Sequence, residues 1–250
     1  MTGRSTAAES RDLLSMRKLI PYSVVLFLAG LSFQCGVLAG DSVRIAEFSA
    51  AQVGRGMPDG WEPLDFPKIK EKTVYRIVED RNYGAVIHAQ SSSGSGGWLR
   101  PLQIQAADFP MLSWVWKIEA TMTGSVVGSQ EGDDFPARLL VSFKTDNEAA
   151  SSPYDNALCY VWADREPVDT AQLNPFHDHV MTVVAANADD RVGDWLEITR
   201  DVVADYRAAF GTEPLQISAV TVMADGDNTG SEARAWFGPI TFTGQEQTAP

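Results

Sequence analysis

The 250-residue chain carries 33 acidic residues against 20 basic ones, a net charge of −13, and 44% of its residues are hydrophobic. A surface of that sign repels phosphate backbones and anionic lipid, which argues against nucleic acid and membrane surfaces as partners. Two cysteines are too few for a disulfide scaffold.

The chain opens with an export pattern. Arg17 and Lys18 precede an apolar stretch from Leu19 to Leu31, and small residues close it at Val37-Leu38-Ala39. These are the regions of a secretory signal peptide, with cleavage expected after Ala39. The apolar run of about 13 residues is short of the roughly 20 that a transmembrane helix needs. Met16, directly before Arg17, reads as the true start, with residues 1–15 an upstream extension. Bulky Phe33 and Gln34 ahead of Cys35 argue against a lipid-modified cysteine. The expected organisation is a signal peptide over 1–39 and one domain over 40–250. No membrane span remains after cleavage, and the destination is the periplasm or the outside of the cell. The mature chain would keep 16 basic and 31 acidic residues, a net charge of −15, with Cys159 as its single cysteine. No intramolecular disulfide can then form, and a chain of about 210 residues can bury enough apolar surface to fold without one.

Short segments rich in β-branched and aromatic residues follow, separated by Gly, Pro, Asp and Asn. They predict strands near 43–48, 73–79, 84–90, 97–104, 111–120, 137–144, 157–163, 179–186, 215–224 and 233–242. In Leu112 to Glu119 the large apolar residues alternate with small or charged ones, as a half-buried strand requires. Val180 to Ala186 is apolar on both faces and predicts a central strand. One helix is expected: Asp201 caps it, Val202, Val203, Tyr206 and Phe210 recur at helical spacing, and Gly211 and Pro214 end it. One helix among some ten strands rules out a doubly wound fold. The expectation is an all-β, two-sheet antiparallel β-sandwich of jelly-roll type with one short α-helix.

Several motifs, in one order, carry a family resemblance. They are Gly132-Asp133-Asp134-Phe135-Pro136-Ala137-Arg138, Tyr160-Val161-Trp162, Arg200-Asp201-Val202 with Asp205 to Gly211, and Met223 to Gly230. The Ser93 to Gly97 turn and Trp114-Val115-Trp116-Lys117 fit as well. Together they resemble the bacterial family known as domain of unknown function 3047. The resemblance implies an exported bacterial β-sandwich similar in character to carbohydrate-binding jelly rolls. It implies no activity and no catalytic residue.

The candidate sites come from the residues themselves. Asp133 and Asp134 stand just before the strand carrying Arg138, where they could hold sugar hydroxyls or a cation, or simply clamp a loop to the sheet. Asp225-Gly226-Asp227-Asn228-Thr229-Gly230 is the densest run of oxygen ligands, and calcium is the ion such a loop would take, at Asp225 and Asp227. The run departs from the EF-hand pattern, with Thr229 at the fifth position and Trp236 where the closing Glu belongs. Its other reading is a turn between strands. Trp114, Trp116, Tyr160 and Trp162 share strand faces with aliphatic residues and predict core. Trp61, Trp98, Trp195 and Trp236 stand nearer loops or glycine, where an exposed ring can stack on a sugar; Trp98 and Trp236 are the chosen candidates. His177 and His179 flank Asp178, but no Cys, third His or spaced Glu completes a zinc site nearby, and Cys159 lies in an apolar strand. No nucleophile elbow, phosphate loop or dinucleotide fingerprint is present.

Three functions follow in order. A binding module for carbohydrate or a similar polar ligand leads. An envelope interaction protein without a small ligand comes second. A polysaccharide hydrolase or lyase using the loop carboxylates comes third, if the two acidic motifs meet across a cleft.

Overall fold

The computed structural model describes residues 41–144 and 156–244. The expected signal peptide, with Cys35, lies outside them. Alternation of apolar and polar residues builds two sheets whose inner faces share one core. The first sheet holds β11 (Leu196–Asp201), β6 (Met111–Ile118), β13 (Glu232–Thr243), β4 (Gly84–Ser92) and β3 (Val74–Asp80), in that order. At 12 residues β13 is long enough to pair with β4 through its first half and with β1 (Ser42–Ala46) through its second.

The second sheet runs β2 (Glu62–Leu64), β5 (Gly97–Gln105), β12 (Gln216–Met223), β7 (Arg138–Lys144), β8 (Asn156–Trp162), β10 (Val180–Ala186) and β9 (Ala171–Leu173). All pairs in the two sheets are antiparallel except β8 with β10, which run parallel. The predicted two-sheet sandwich is therefore present, with this one parallel pair inside it. The all-apolar segment Val180 to Ala186 sits one strand from the edge rather than centrally, and three-residue β9 covers its outer flank. Its outward residues Val180 and Val184 pack with Val127, Phe135, Cys159 and Val161 in a second, smaller apolar cluster. That cluster explains why both of its faces are apolar.

Trp114, Trp116, Tyr160 and Trp162 are all buried and stack across the gap between the sheets, Trp114 on Tyr160 at 5.2 Å and Trp116 on Trp162 at 5.7 Å. Burying rings of this size supplies much of the apolar area that holds the two layers together.

The helix, α1 (Val202–Phe210), touches β8 of one sheet and β6 and β11 of the other. Asp201 Oδ1 accepts from the backbone N–H groups of Val203 at 3.1 Å and Ala204 at 2.9 Å, and Gly211 ends the helix at φ 71°. Tyr206 is fully buried against Phe143 at 4.7 Å. Arg200 grips Asp205 through two 2.8 Å hydrogen bonds, fixing the helix to the strand before it. Among the described residues no helix is long and apolar enough to cross a membrane.

Three strands, β2, β9 and β11, were not expected from the sequence. Two of them have three residues each, too few for a period to show. Replacing Asp201 with Ala removes both cap hydrogen bonds and should lower stability by about 1 kcal/mol. Urea unfolding checks it, and an unchanged midpoint would contradict the cap's role.

Candidate functional site

Three connections cross between the sheets at one end of the sandwich: residues 93–96 between β4 and β5, 119–137 between β6 and β7, and 224–231 between β12 and β13. They bring together acidic motifs about 90 residues apart. Arg138, at the start of β7, is 4% exposed. Its Nε donates to Asp225 Oδ1 at 2.8 Å, its Nη2 to Asp225 Oδ2 at 2.7 Å and its Nη1 to Asp133 Oδ1 at 3.1 Å. Nη2 also donates to the Asp133 carbonyl. The Phe135 ring lies 4.7 Å from the guanidinium, and the Phe135 N–H donates to Asp225 Oδ1 at 3.1 Å. Asn174, in the β9–β10 connection, donates to Asp133 Oδ2 at 2.9 Å. Two-pronged pairing of this kind is the strong form of a charge-assisted hydrogen bond.

Asp134 is fully buried. Its Oδ2 accepts from the Thr229 hydroxyl at 2.7 Å and from the Thr229 N–H, while its Oδ1 has no partner. Asp134, Asp225 and half-buried Asp227 place carboxylate oxygens within 4.8 Å of one another. Burial pushes the Asp225 carboxyl up to about 7 although Arg138 pulls it down, and burial with the neighbouring Asp134 raises that of Asp227. The loop closes tightly on itself: a Cβ on Gly226 would stand 2.2 Å from the Ser231 carbonyl oxygen. Gly226 N–H also donates to the Gly94 carbonyl at 3.0 Å, which ties in the glycine-serine turn.

Asp133, Asp134, Arg138, Asp225 and Asp227 thus meet. Asn228 stands exposed at the rim and donates to the Gln130 carbonyl at 2.6 Å. The cluster faces inward, with Asp133, Asp134, Arg138 and Asp225 all buried, so these side chains offer a sugar no open surface. Trp98 is corrected too. It is 6% exposed and stacked on Tyr75 at 5.3 Å within the core, because its side of β5 faces inward. Trp61 is buried likewise, whereas His177 and His179 are exposed. Asn174 was missed as a member of the cluster, and no local signal in the sequence points to it; Thr229 was read only as part of the 225–230 run, not as the partner of Asp134. Burial raises the Cys159 thiol to about 12, which removes it as a nucleophile at neutral pH.

Trp236 lies elsewhere, on the outer face of the first sheet. A cross-strand row runs Arg76, His88, Trp236, Lys117 through β3, β4, β13 and β6. Lys117 Nζ stands 4.5 Å from the centre of the Trp236 ring and 5.0 Å from that of Trp195. His88 lies 4.9 Å from Trp236, so that ring has neighbours from both adjacent strands. Trp195 meets Tyr83 edge-on at 4.9 Å. Gly238 lies beneath this pair; a Cβ there would approach Val115 Cγ2 at 2.5 Å and both rings at 3.6 Å. Beside it a shallow cavity of about 170 Å³ is lined by Tyr83, Ser113, Val115, Glu197, Pro239 and Thr241.

Residues 59–241 match the family described as "Protein of unknown function (DUF3047)". The chain belongs to this family. No curated protein matches the sequence. Among solved structures, the family 11 carbohydrate-binding module from Clostridium thermocellum, in complex with a β-1,3-1,4-mixed-linked tetrasaccharide, is 13% identical, with a TM-score of 0.44, covering 82% of this chain and 96% of its own. The K1 cleaved adhesin domain of Lys-gingipain from Porphyromonas gingivalis W83 is 10% identical, with a TM-score of 0.39 and coverages of 82% and 99%. A Stig cyclase from Fischerella sp. TAU is 11% identical, with a TM-score of 0.37 and the same coverages. Likenesses this distant decide nothing about what this DUF3047 member does.

The outer-face row makes a pH prediction. Burial, then the charges of Arg234, Arg76 and Lys117, lower the pKa of His88 below 6.5, with Glu119 opposing. A base whose folded pKa is depressed contributes stability above its unfolded pKa and loses it as pH falls through the folded value. Between about pH 7 and about pH 5 the wild type should therefore lose more stability than His88→Gln. Urea unfolding at each pH gives the comparison, and parallel curves would contradict it.

Proposed function

We propose that this protein is an exported binding module that holds carbohydrate on the outer face of its first sheet. The observation that carries this reading is the Tyr83–Trp195 pair beside the shallow cavity. Tyr83 is 36% exposed, and hydroxyl and carboxylate groups of Ser113, Glu197 and Thr241 border the same space. Sugar rings present C–H faces to aromatic rings and hydroxyls to such polar groups, so one surface serves both. At about 170 Å³ the cavity is smaller than the roughly 300–1,000 Å³ of a drug-sized site, which suits one ring of a longer glycan. An extended glycan would pass on toward Trp236 and His88.

The hydrolase or lyase reading draws no support from the geometry. Its acidic loops meet, but their carboxylates turn toward Arg138 and one another rather than across a cleft. The test is calorimetry of the protein from residue 40 onward against a panel of oligosaccharides, with Tyr83→Ala and Trp195→Ala alongside. One glycan class should bind, and each variant should weaken it by about tenfold, or ~1.4 kcal/mol, while unfolding cooperatively. No binding across the panel, or variants that bind as the wild type does, would overturn the proposal.

A further inference from the structure

We propose that Asp134, Asp225 and Asp227 hold one calcium ion that joins the β6–β7 and β12–β13 connections. This site is separate from the outer-face surface and stands without it. The first support is geometric. A calcium ion takes oxygens at about 2.3–2.6 Å, so the oxygens around one ion lie within about 5 Å of one another. The three carboxylates already meet that limit, at 4.8 Å or less.

The second support is an oxygen with nothing to bind it. Asp134 is fully buried and its carboxylate reaches into the cluster, yet Oδ1 accepts no hydrogen bond. Buried carboxylate oxygens are ordinarily satisfied, and one left bare carries a desolvation cost that a cation removes. The third support is charge. Among the described residues, Arg138 is the one cationic side chain within 4.0 Å of any of the four aspartates Asp133, Asp134, Asp225 and Asp227. Four carboxylates against one guanidinium leave an excess of negative charge in a largely water-excluded place. A divalent cation offsets most of it without breaking the Arg138 pairs.

Ligand chemistry selects the ion. The cluster offers oxygen and neither imidazole nor thiolate, which points to a hard cation. Its donors come from two irregular connections rather than a rigid octahedral frame, which favours calcium over magnesium. Bound there, the ion would add a link through Asp134 to the Phe135–Asp225, Asn228–Gln130 and Thr229–Asp134 hydrogen bonds that already join the two crossings.

The experiment is calcium titration by calorimetry on protein stripped with EDTA, with thermal unfolding run in parallel and magnesium as the comparison ion. The wild type should bind one calcium ion, prefer it to magnesium, and melt at a higher temperature when it is bound. Asp227→Asn, half-buried and outside the Arg138 pairs, should keep the fold and bind at least tenfold more weakly. Asp134→Asn should do the same, whereas Glu119→Gln, whose carboxylate pairs with Arg234 outside the cluster, should bind as the wild type does. Four results would overturn the proposal: no calcium binding and no shift in melting, magnesium bound as tightly, both aspartate variants binding unchanged, or Glu119→Gln weakened equally.

Discussion

The end of the sandwich is organised by one buried guanidinium. A β-sandwich holds itself together through apolar area wherever strands face strands, but the connections that cross between its sheets carry polar backbone and turn residues. Here three such crossings meet, and Arg138 supplies what apolar packing cannot. It occupies both oxygens of Asp225 from one crossing and one oxygen of Asp133 from another. Removing one partner of a buried pair of this kind leaves an uncompensated charge, at a cost of about 3–5 kcal/mol. The same interaction decides the chemistry around it, because a guanidinium already engaged by Asp133 and Asp225 has little left for Asp134 and Asp227.

Much of the fold was legible because period-2 alternation and turn residues act locally. All ten expected strands are present with boundaries shifted by one or two residues, and α1 begins and ends where Asp201 and Gly211 place it. Short β2 and β9 left no period to read, and β11 runs directly into the helix cap at Asp201. The parallel pairing of β8 with β10 was illegible for another reason. Strand direction depends on how 17 intervening residues return, and nothing in the strands themselves records it.

The site was half legible. Asp133, Asp134 and Arg138 stand together in sequence, as do Asp225 and Asp227, so each half could be named. That the halves meet is a property of the crossings: Asn174 joins only through tertiary contact, and Thr229, inside the second run, bonds Asp134 of the first only once they meet. Trp98 misled because a glycine beside it suggested exposure, while its place on the inward side of β5 put the ring in the core. Trp195 and Trp236 could be named one at a time, but that they share an outer face with Lys117 and Tyr83 was illegible because these residues come from different parts of the chain. The two regions divide the polar chemistry of the molecule. One faces inward and suits a bare ion; the other faces outward and suits a ligand with both apolar and hydroxyl faces.

The measurement that bears most directly on this account is a double-mutant cycle on Arg138→Met and Asp225→Leu, in calcium-free buffer and followed by urea unfolding. If the guanidinium and its carboxylate fasten the crossings, each single variant loses about 3–5 kcal/mol. The double variant then loses less than their sum by more than about 1 kcal/mol, because the Arg138–Asp225 pair is lost once rather than twice, while Asp133 loses its cation equally in both Arg138 variants. Single variants within about 0.5 kcal/mol of the wild type, or losses that simply add, would show that this end of the sandwich is held by something else.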